Sequence, residues 1–226
     1  MTSRNHLTML ATALFAPLVL AGCGSAMSDS SALGNDPRPP PYSGSIALTS
    51  DPVGARCVLT NMATNGQVAA VITPAMVPLP RGTAAIQATC SAAGSMDTTV
   101  VIRPVRDFAS GIHHPQPVGS GIAQNALAVQ TGSTRRYNDT VVPLPPQPFA
   151  SAAALDAWFA DRAEQIRQAA APGIARAQRS ANATIDTADT LRGYLAEDLA
   201  RLDRQKAAAT VAAATPEAAP APRRRR

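Results

Sequence analysis

Two spacings of apolar residues divide the chain into a region that predicts strands and a region that predicts helices. Between residues 44 and 104, short runs rich in β-branched residues alternate with turn signals such as Asn65-Gly66. The predicted strands are Ile46 to Thr49, Arg56 to Thr60, Gln67 to Ile72, Thr83 to Cys90 and Thr98 to Ile102. Apolar residues at alternate positions, such as Ala88 and Cys90, predict that each strand buries one face.

From about residue 149 the apolar residues recur at helical spacing. The two apolar stripes comprise Leu155, Trp158, Phe159 and Ile166, and then Ile185, Ala188, Leu195, Leu199 and Leu202. Pro172-Gly173 lies between the stripes and predicts either two helices or one kinked helix. Two interpretations stay open for this region: a coiled coil or partner-binding helix, and a helix folded back on its own domain.

These patterns predict an α+β fold, with a small antiparallel β-sandwich-like domain followed by a long helical region, straight or kinked, and disordered ends. The predicted segments are a signal peptide (1–22), a flexible tether (23–43), the β domain (44–104), a Gly- and Pro-rich apolar segment packed on or beside it (105–148), the helical region (149–214) and a disordered Pro/Ala/Arg tail (215–226).

The first 22 residues have the layout of a secretory signal, with a positive charge at Arg4 before an apolar stretch. That stretch, Leu7 to Leu20, is shorter than the ~20 apolar residues that span a bilayer. It ends in Leu20-Ala21-Gly22-Cys23, which resembles the lipobox of bacterial lipoproteins. The resemblance implies that the Cys23 thiol is alkylated by diacylglycerol, that the chain is cut before it, and that the new amino group is acylated. The alternative is an ordinary signal that contains a cysteine by chance.

The lipobox resemblance also indicates a location. A diacylglycerol together with an amide-linked chain such as palmitate exceeds what stable membrane anchoring requires. Gly24, rather than an aspartate, follows the cysteine, which is typical of sorting to the outer membrane. We therefore expect a cell-envelope protein anchored by lipid in the outer membrane and facing the periplasm, with exposure at the cell surface left open.

Positive charge is concentrated at the end of the chain. The sequence has 20 Lys and Arg against 15 Asp and Glu, and the excess lies in Arg4 and the last four residues. Without a basic face in the body of the chain, nucleic acid is not an expected partner. The candidate anion-binding residues are Arg223, Arg224, Arg225 and Arg226. Guanidinium pairs with phosphate and carboxylate alike, so lipopolysaccharide, peptidoglycan or an acidic partner are the candidate ligands, and a solubilising or neutral tail is the alternative.

The strand region resembles a known family. Its characteristic residues are Ser50, Pro52, Gly54, Ala55, Cys57, Leu59, Asn61, Thr73-Pro74, Cys90 and Gly94. This order is similar to the cysteine-containing PEGA-like β domain of small proteobacterial envelope lipoproteins, with Val53 in place of the family's glutamate. A weaker match follows at Thr131, Gly132, Tyr137 and Val141. Ala128 stands there in place of the expected aspartate. The resemblance covers residues 44–145 and implies an envelope interaction or scaffold module.

The cysteines allow one pair. If Cys23 carries lipid, Cys57 and Cys90 remain in an oxidising compartment, where an even number of thiols favours a disulfide. The alternative is a pair of buried free thiols that act as small apolar residues.

Candidate catalytic and metal-binding residues are sparse. His113 and His114 are adjacent, but they fall short of a tetrahedral metal site, and we expect an exposed loop pair. No nucleophile has a recognisable base, so we expect no cofactor, no metal and no enzymatic activity.

The expected function is that of a lipid-anchored, non-catalytic binding or scaffold module with an envelope protein as partner. The alternative is a structural spacer that contacts peptidoglycan or lipopolysaccharide through the helix and the arginine tail.

Overall fold

The computed structural model describes residues 25–26, 33, 35–115, 119–179 and 186–213. The predicted signal peptide, the candidate lipidation site Cys23 and the arginine tail at 223–226 lie outside the described residues. The strands are β1 (Ser25–Ala26), β2 (Ser45–Asp51), β3 (Arg56–Asn61), β4 (Gln67–Ile72), β5 (Ala75–Pro78), β6 (Ile86–Ser91), β7 (Thr98–Ile102), β8 (Val105–Arg106), β9 (His114–Pro115), β10 (Arg135–Arg136) and β11 (Thr140–Pro143). The helices are α1 (Gly121–Thr131), α2 (Ala152–Arg179) and α3 (Ala188–Ala208). The predicted α+β fold class is confirmed.

Two sheets enclose the main core. One has four antiparallel strands in the order β4-β3-β6-β7, and the other has three strands in the order β11-β2-β5. Alternating residues of both sheets meet in this core, because successive side chains of a strand point to opposite faces. Its buried members include Ile46, Leu48, Cys57, Leu59, Val77, Ile86, Ala88, Cys90, Ile102 and Val142. The arrangement is a small β-sandwich.

A disulfide joins Cys57 of β3 to Cys90 of β6. The two residues lie directly opposite each other in the antiparallel register, and both are fully buried. The bond therefore links two neighbouring strands of the four-stranded sheet in the middle of the core.

The sandwich extends beyond residue 104. Strand β11 pairs in parallel with β2, and Val142 and Leu144 are buried in the main core. The segment 105–148 thus supplies one strand of the three-stranded sheet, as well as helix α1, instead of only packing beside the sheets. The left-handed conformation of Gly132 (φ 67°) ends α1, and its N–H donates to the Ala128 carbonyl.

The two long helices form an antiparallel hairpin. Lys206, near the end of α3, pairs with Asp156, near the start of α2, at 2.7 Å. A second apolar cluster of Phe149, Phe159 and Leu202 packs at this end of the hairpin. Pro172-Gly173 does not divide the region into two helices, because α2 continues through Pro172 to Arg179 and α3 begins only at Ala188. Packing against α3 outweighs the backbone donor that proline removes.

The hairpin folds back on the sandwich. The Gln205 side chain of α3 donates to Thr98 Oγ1 of β7 at 2.7 Å. The N–H of Phe149, before α2, donates to the Thr210 carbonyl after α3 at 2.8 Å. Of the two interpretations of the helical region, the structure has the folded-back one. None of the helices in the described ranges is long and apolar enough to cross a membrane.

The expectation of an exposed histidine pair is wrong for His114. This residue lies in β9 with 6% of its surface exposed, and its Nε2 bonds the Asp107 carbonyl at 2.8 Å. The local sequence did not indicate this burial, because the partner carbonyl belongs to a turn that only the fold brings close. Within the described part of the chain, no three His, Cys, Asp or Glu side chains form a group able to hold a metal ion.

Candidate functional site

A cavity of about 440 Å³ lies between the sandwich and the helical hairpin. Strands β7 and β11 are outer strands of their sheets, and they contact each other at the side of the sandwich that the hairpin covers. The cavity has the size of sites that bind small molecules, which occupy about 300–1,000 Å³. It is the candidate functional site.

The space is left in part because α2 lines it with small residues. The residues of α2 that line the cavity include Ala169, Ala170, Gly173 and Ala177. Helix α3 contributes larger apolar residues, among them Leu191 and Leu195. On the strand side lie Val101 of β7 and Val141 of β11, and Val141 keeps 59% of its surface exposed. The wall is therefore largely apolar and remains accessible.

Charged side chains interrupt the apolar wall, and most of them are paired. Arg103 donates to both oxygens of Asp198 at 2.9 and 3.0 Å and to Glu197 at 2.8 Å. Its guanidinium also lies 4.5 Å from the centre of the Tyr194 ring. Arg201 shares Asp198 at 2.7 Å. These pairs fasten α3 to the end of β7 and keep the cavity wall in place.

Asp186 fixes the start of α3. One of its carboxylate oxygens accepts from Arg135 at 2.8 Å, and the other accepts from the N–H of Arg106 at 3.0 Å. Burial raises the pKa of the Asp186 carboxyl above its ordinary value, although the Arg135 guanidinium acts in the opposite direction. The carboxyl thus joins the chain just before α3 to β8 and β10.

The raised pKa of Asp186 predicts a specific dependence on pH. The folded state holds this proton more tightly than the unfolded chain, so the contribution is fully present below the ordinary pKa of 3.8 and is lost as pH rises through the raised value. The free energy of unfolding of the wild type, relative to Asp186→Asn, should therefore increase as pH falls from neutral toward 3.8. Urea denaturation at a series of pH values measures it.

Asp189→Asn serves as the matched control, because Asp189 is 93% exposed and its ion pair among the described residues is with Arg192 on the same helix. Its difference from the wild type should not show the increase toward low pH. A wild-type advantage over Asp186→Asn that shrinks on acidification would contradict the prediction.

Arg162 differs from Arg103, Arg176 and Arg201, the cavity arginines that pair with acids among the described residues. Its guanidinium donates to the Gln165 side chain at 3.1 Å, and no carboxylate of the described residues lies within ion-pair distance. Burial lowers the pKa of Arg162, although Asp198 and Asp161 act in the opposite direction from farther away. The wall therefore holds, at Arg162, a guanidinium that no acid of the described residues contacts.

A second charged cluster fastens the segment before β2. The fully buried Asp107 accepts from Arg81 at 2.6 Å, and the Tyr42 ring lies beneath Arg81 and Arg136. Arg136 also donates to the Pro40 carbonyl at 2.8 Å. The second half of the predicted tether thus contacts the folded part of the chain. The residues of this cluster do not line the cavity, although Asp107 lies between two residues that do, Arg106 and Phe108.

The predicted site residues do not meet in the cavity. Cys57 and Cys90 lie in the core as a disulfide, whereas Cys23 and the terminal arginines lie outside the described residues. Arg162 is not among the predicted site residues, because an arginine among interspersed acids on a helix is typical of a solvated surface. The available signal was its spacing, since Arg162 lies four residues from both Trp158 and Ile166, in the middle of an apolar stripe.

A scan of protein-family models, a search of curated proteins and a search of solved structures found no match to this chain. The PEGA-like resemblance therefore stays a prediction.

Proposed function

We propose that the chain is a lipid-anchored cell-envelope protein that acts as a non-catalytic binding module, with the cavity between sandwich and hairpin as its binding site. The observation that carries the proposal is the cavity itself, which joins an accessible apolar wall to a few polar groups. Sites for small ligands have this composition.

Two observations support the envelope location. The Leu20-Ala21-Gly22-Cys23 sequence has the form of a lipobox. The Cys57–Cys90 disulfide is of a kind that persists in oxidising compartments and is rare in a reducing cytosol. Both agree with an exported chain.

The charges around the cavity support a binding role. Arg103, Arg201 and Asp198 are engaged with one another, so they hold the wall in a fixed shape. A site that is formed before its ligand arrives loses less freedom on binding. The hairpin also lies against β7 through Gln205, which favours a folded module over an extended spacer.

Binding at the cavity can be tested with Nile red, a neutral dye whose fluorescence rises in apolar surroundings. We expect saturable binding to the full chain carrying Cys23→Ser, which avoids the lipid. Ala170→Phe should reduce binding by about tenfold or more, because the new ring occupies the cavity that Ala170 lines. The matched control is Ala171→Phe, at an exposed position of the same helix outside the wall. Equal binding by the two variants would overturn the cavity as the site.

The anchor is tested separately by metabolic labelling with an alkyne analogue of palmitate and by membrane fractionation. The wild type should incorporate label and sediment with the outer membrane, whereas Cys23→Ser should do neither. Labelling that persists in Cys23→Ser would overturn the assignment of Cys23.

A further inference from the structure

We infer that the cavity takes a single-chain amphiphile with an anionic head group, and that the Arg162 guanidinium binds this head. The inference rests on the proposed binding role of the cavity and names its ligand class. The juxtaposition that carries it is an arginine without a carboxylate partner set into an apolar wall, between Trp158 and Ile166.

The partly buried guanidinium of Arg162 favours an anionic head group on the ligand. Guanidinium keeps its proton in proteins, so its lowered pKa reports an unfavourable burial of charge and not a neutral side chain. Among the described residues, the Gln165 side-chain oxygen accepts a hydrogen bond from it at 3.1 Å. An anion placed here would form charge-assisted, bidentate hydrogen bonds with a group that is already partly desolvated.

The charge of the whole wall favours the same sign of ligand. Five arginines and two aspartates line the cavity, and two acids outside the lining, Glu197 and Asp36, pair with Arg103 and Arg176, which leaves an excess of one positive charge. Asp198 is shared by Arg103 and Arg201, so it is not available to neutralise a cationic ligand. A positively charged or neutral amphiphile would leave the Arg162 charge without an anionic partner.

The other residues of the cavity wall favour an alkyl tail on the ligand. Val101, Val141 and Leu195 offer aliphatic surface on the strand and helix sides, and the exposed fraction of Val141 is the part that a tail would cover. A volume of about 440 Å³ is that of a small-molecule site, which favours one alkyl chain over a folded partner. Carboxylate and phosphate heads share the required chemistry.

The chain carries its own reporter, since Trp158 is the only tryptophan and lines the cavity. The experiment titrates the full chain carrying Cys23→Ser with dodecanoate, dodecyl phosphate and dodecanol, each below its micellar concentration, and follows Trp158 fluorescence. We expect both anions to bind at least about tenfold more tightly than dodecanol. The tighter of the two anions identifies the head group. Shortening the tail should weaken binding by about fourfold per methylene.

Substitution of the arginine locates the head. Arg162→Gln should weaken dodecanoate binding by about tenfold and leave dodecanol binding unchanged, whereas Arg162→Lys should recover part of the loss. The matched control is Arg167→Gln on the same helix. Arg167 is 54% exposed, pairs with Glu164 and lies outside the cavity wall, so its replacement should change neither affinity.

The outcomes separate this inference from the proposed function. Equal affinity for dodecanoate and dodecanol in the wild type would overturn the anionic head while leaving the binding role intact. Equal effects of Arg162→Gln and Arg167→Gln would overturn Arg162 as its partner. Failure of Nile red and of all amphiphiles to bind would overturn both proposals. The wild-type comparison remains decisive if Arg162→Gln does not fold.

Discussion

Reduction of the Cys57–Cys90 disulfide is expected to lower the free energy of unfolding by about 3–4 kcal/mol. The two cysteines are separated by 33 positions, and in the chain-entropy model a bond that closes a loop of this length restricts the unfolded chain by that amount. Small domains have total stabilities of about 5–15 kcal/mol, so a large part of the stability would be lost. Urea denaturation with and without reductant measures the difference.

The control for this experiment is the double variant Cys57→Ala/Cys90→Ala, whose stability should not respond to reductant. Both the parent protein and the double variant should carry Cys23→Ser, so that Cys57 and Cys90 are the only cysteines of the parent. Identical unfolding of the parent protein under oxidising and reducing conditions would contradict a stabilising bond.

Gly132→Ala is expected to destabilise the protein by about 3 kcal/mol or more. Gly132 has a φ of 67°, and an added Cβ would lie 2.3 Å from the carbonyl carbon of Gly82. Overpacking of this kind costs about 1–3 kcal/mol, and the left-handed conformation adds about 1–2 kcal/mol for a residue with a Cβ. The contact is with backbone, so it cannot be relieved by a rotamer change. Urea denaturation again gives the value.

Gly94→Ala separates the two causes. Gly94 has a φ of 72°, but an added Cβ there meets nothing within 4 Å. Its replacement should therefore cost only the conformational strain of about 1–2 kcal/mol. Losses of equal size for Gly94→Ala and Gly132→Ala would show that the approach of Gly82 to α1 does not constrain the fold.

The strands of the sandwich were predictable where their signals are local. Alternating apolar residues and turn dipeptides located β3, β4 and β7, and they placed Cys57 and Cys90 on faces that can share a core. Strand β6 begins at Ile86, later than the predicted Thr83. The Ala84 carbonyl instead accepts from the Tyr137 hydroxyl at 2.7 Å, a partner far along the chain.

Elements that depend on distant partners were not predictable. Strand β5 spans only four residues, Ala75–Pro78, and has prolines on both sides, so its pairing with β2 left no periodic signal. Strand β11 joins β2 in parallel from more than ninety positions away. Helix α2 continues through Pro172 because of its packing on α3.

The candidate cavity could not be predicted for the same reason. Its walls come from β7, β11, α2 and α3, and no local pattern indicates that these four elements enclose a space. What the sequence does contain is an anomaly at one position, Arg162 in an apolar stripe. An arginine at this position indicates a binding site only once the structure shows that this face of α2 lies against the sandwich.

The position of the hairpin has a consequence for how separate copies of the chain behave toward each other. Outer strands carry backbone N–H and C=O groups that can pair with a strand from a neighbouring molecule and so begin aggregation. Helices α2 and α3 lie across the side where β7 and β11 end their sheets. The same helices that enclose the cavity therefore shield this side of the sandwich from intermolecular strand pairing, which matters most when many copies are concentrated on one surface.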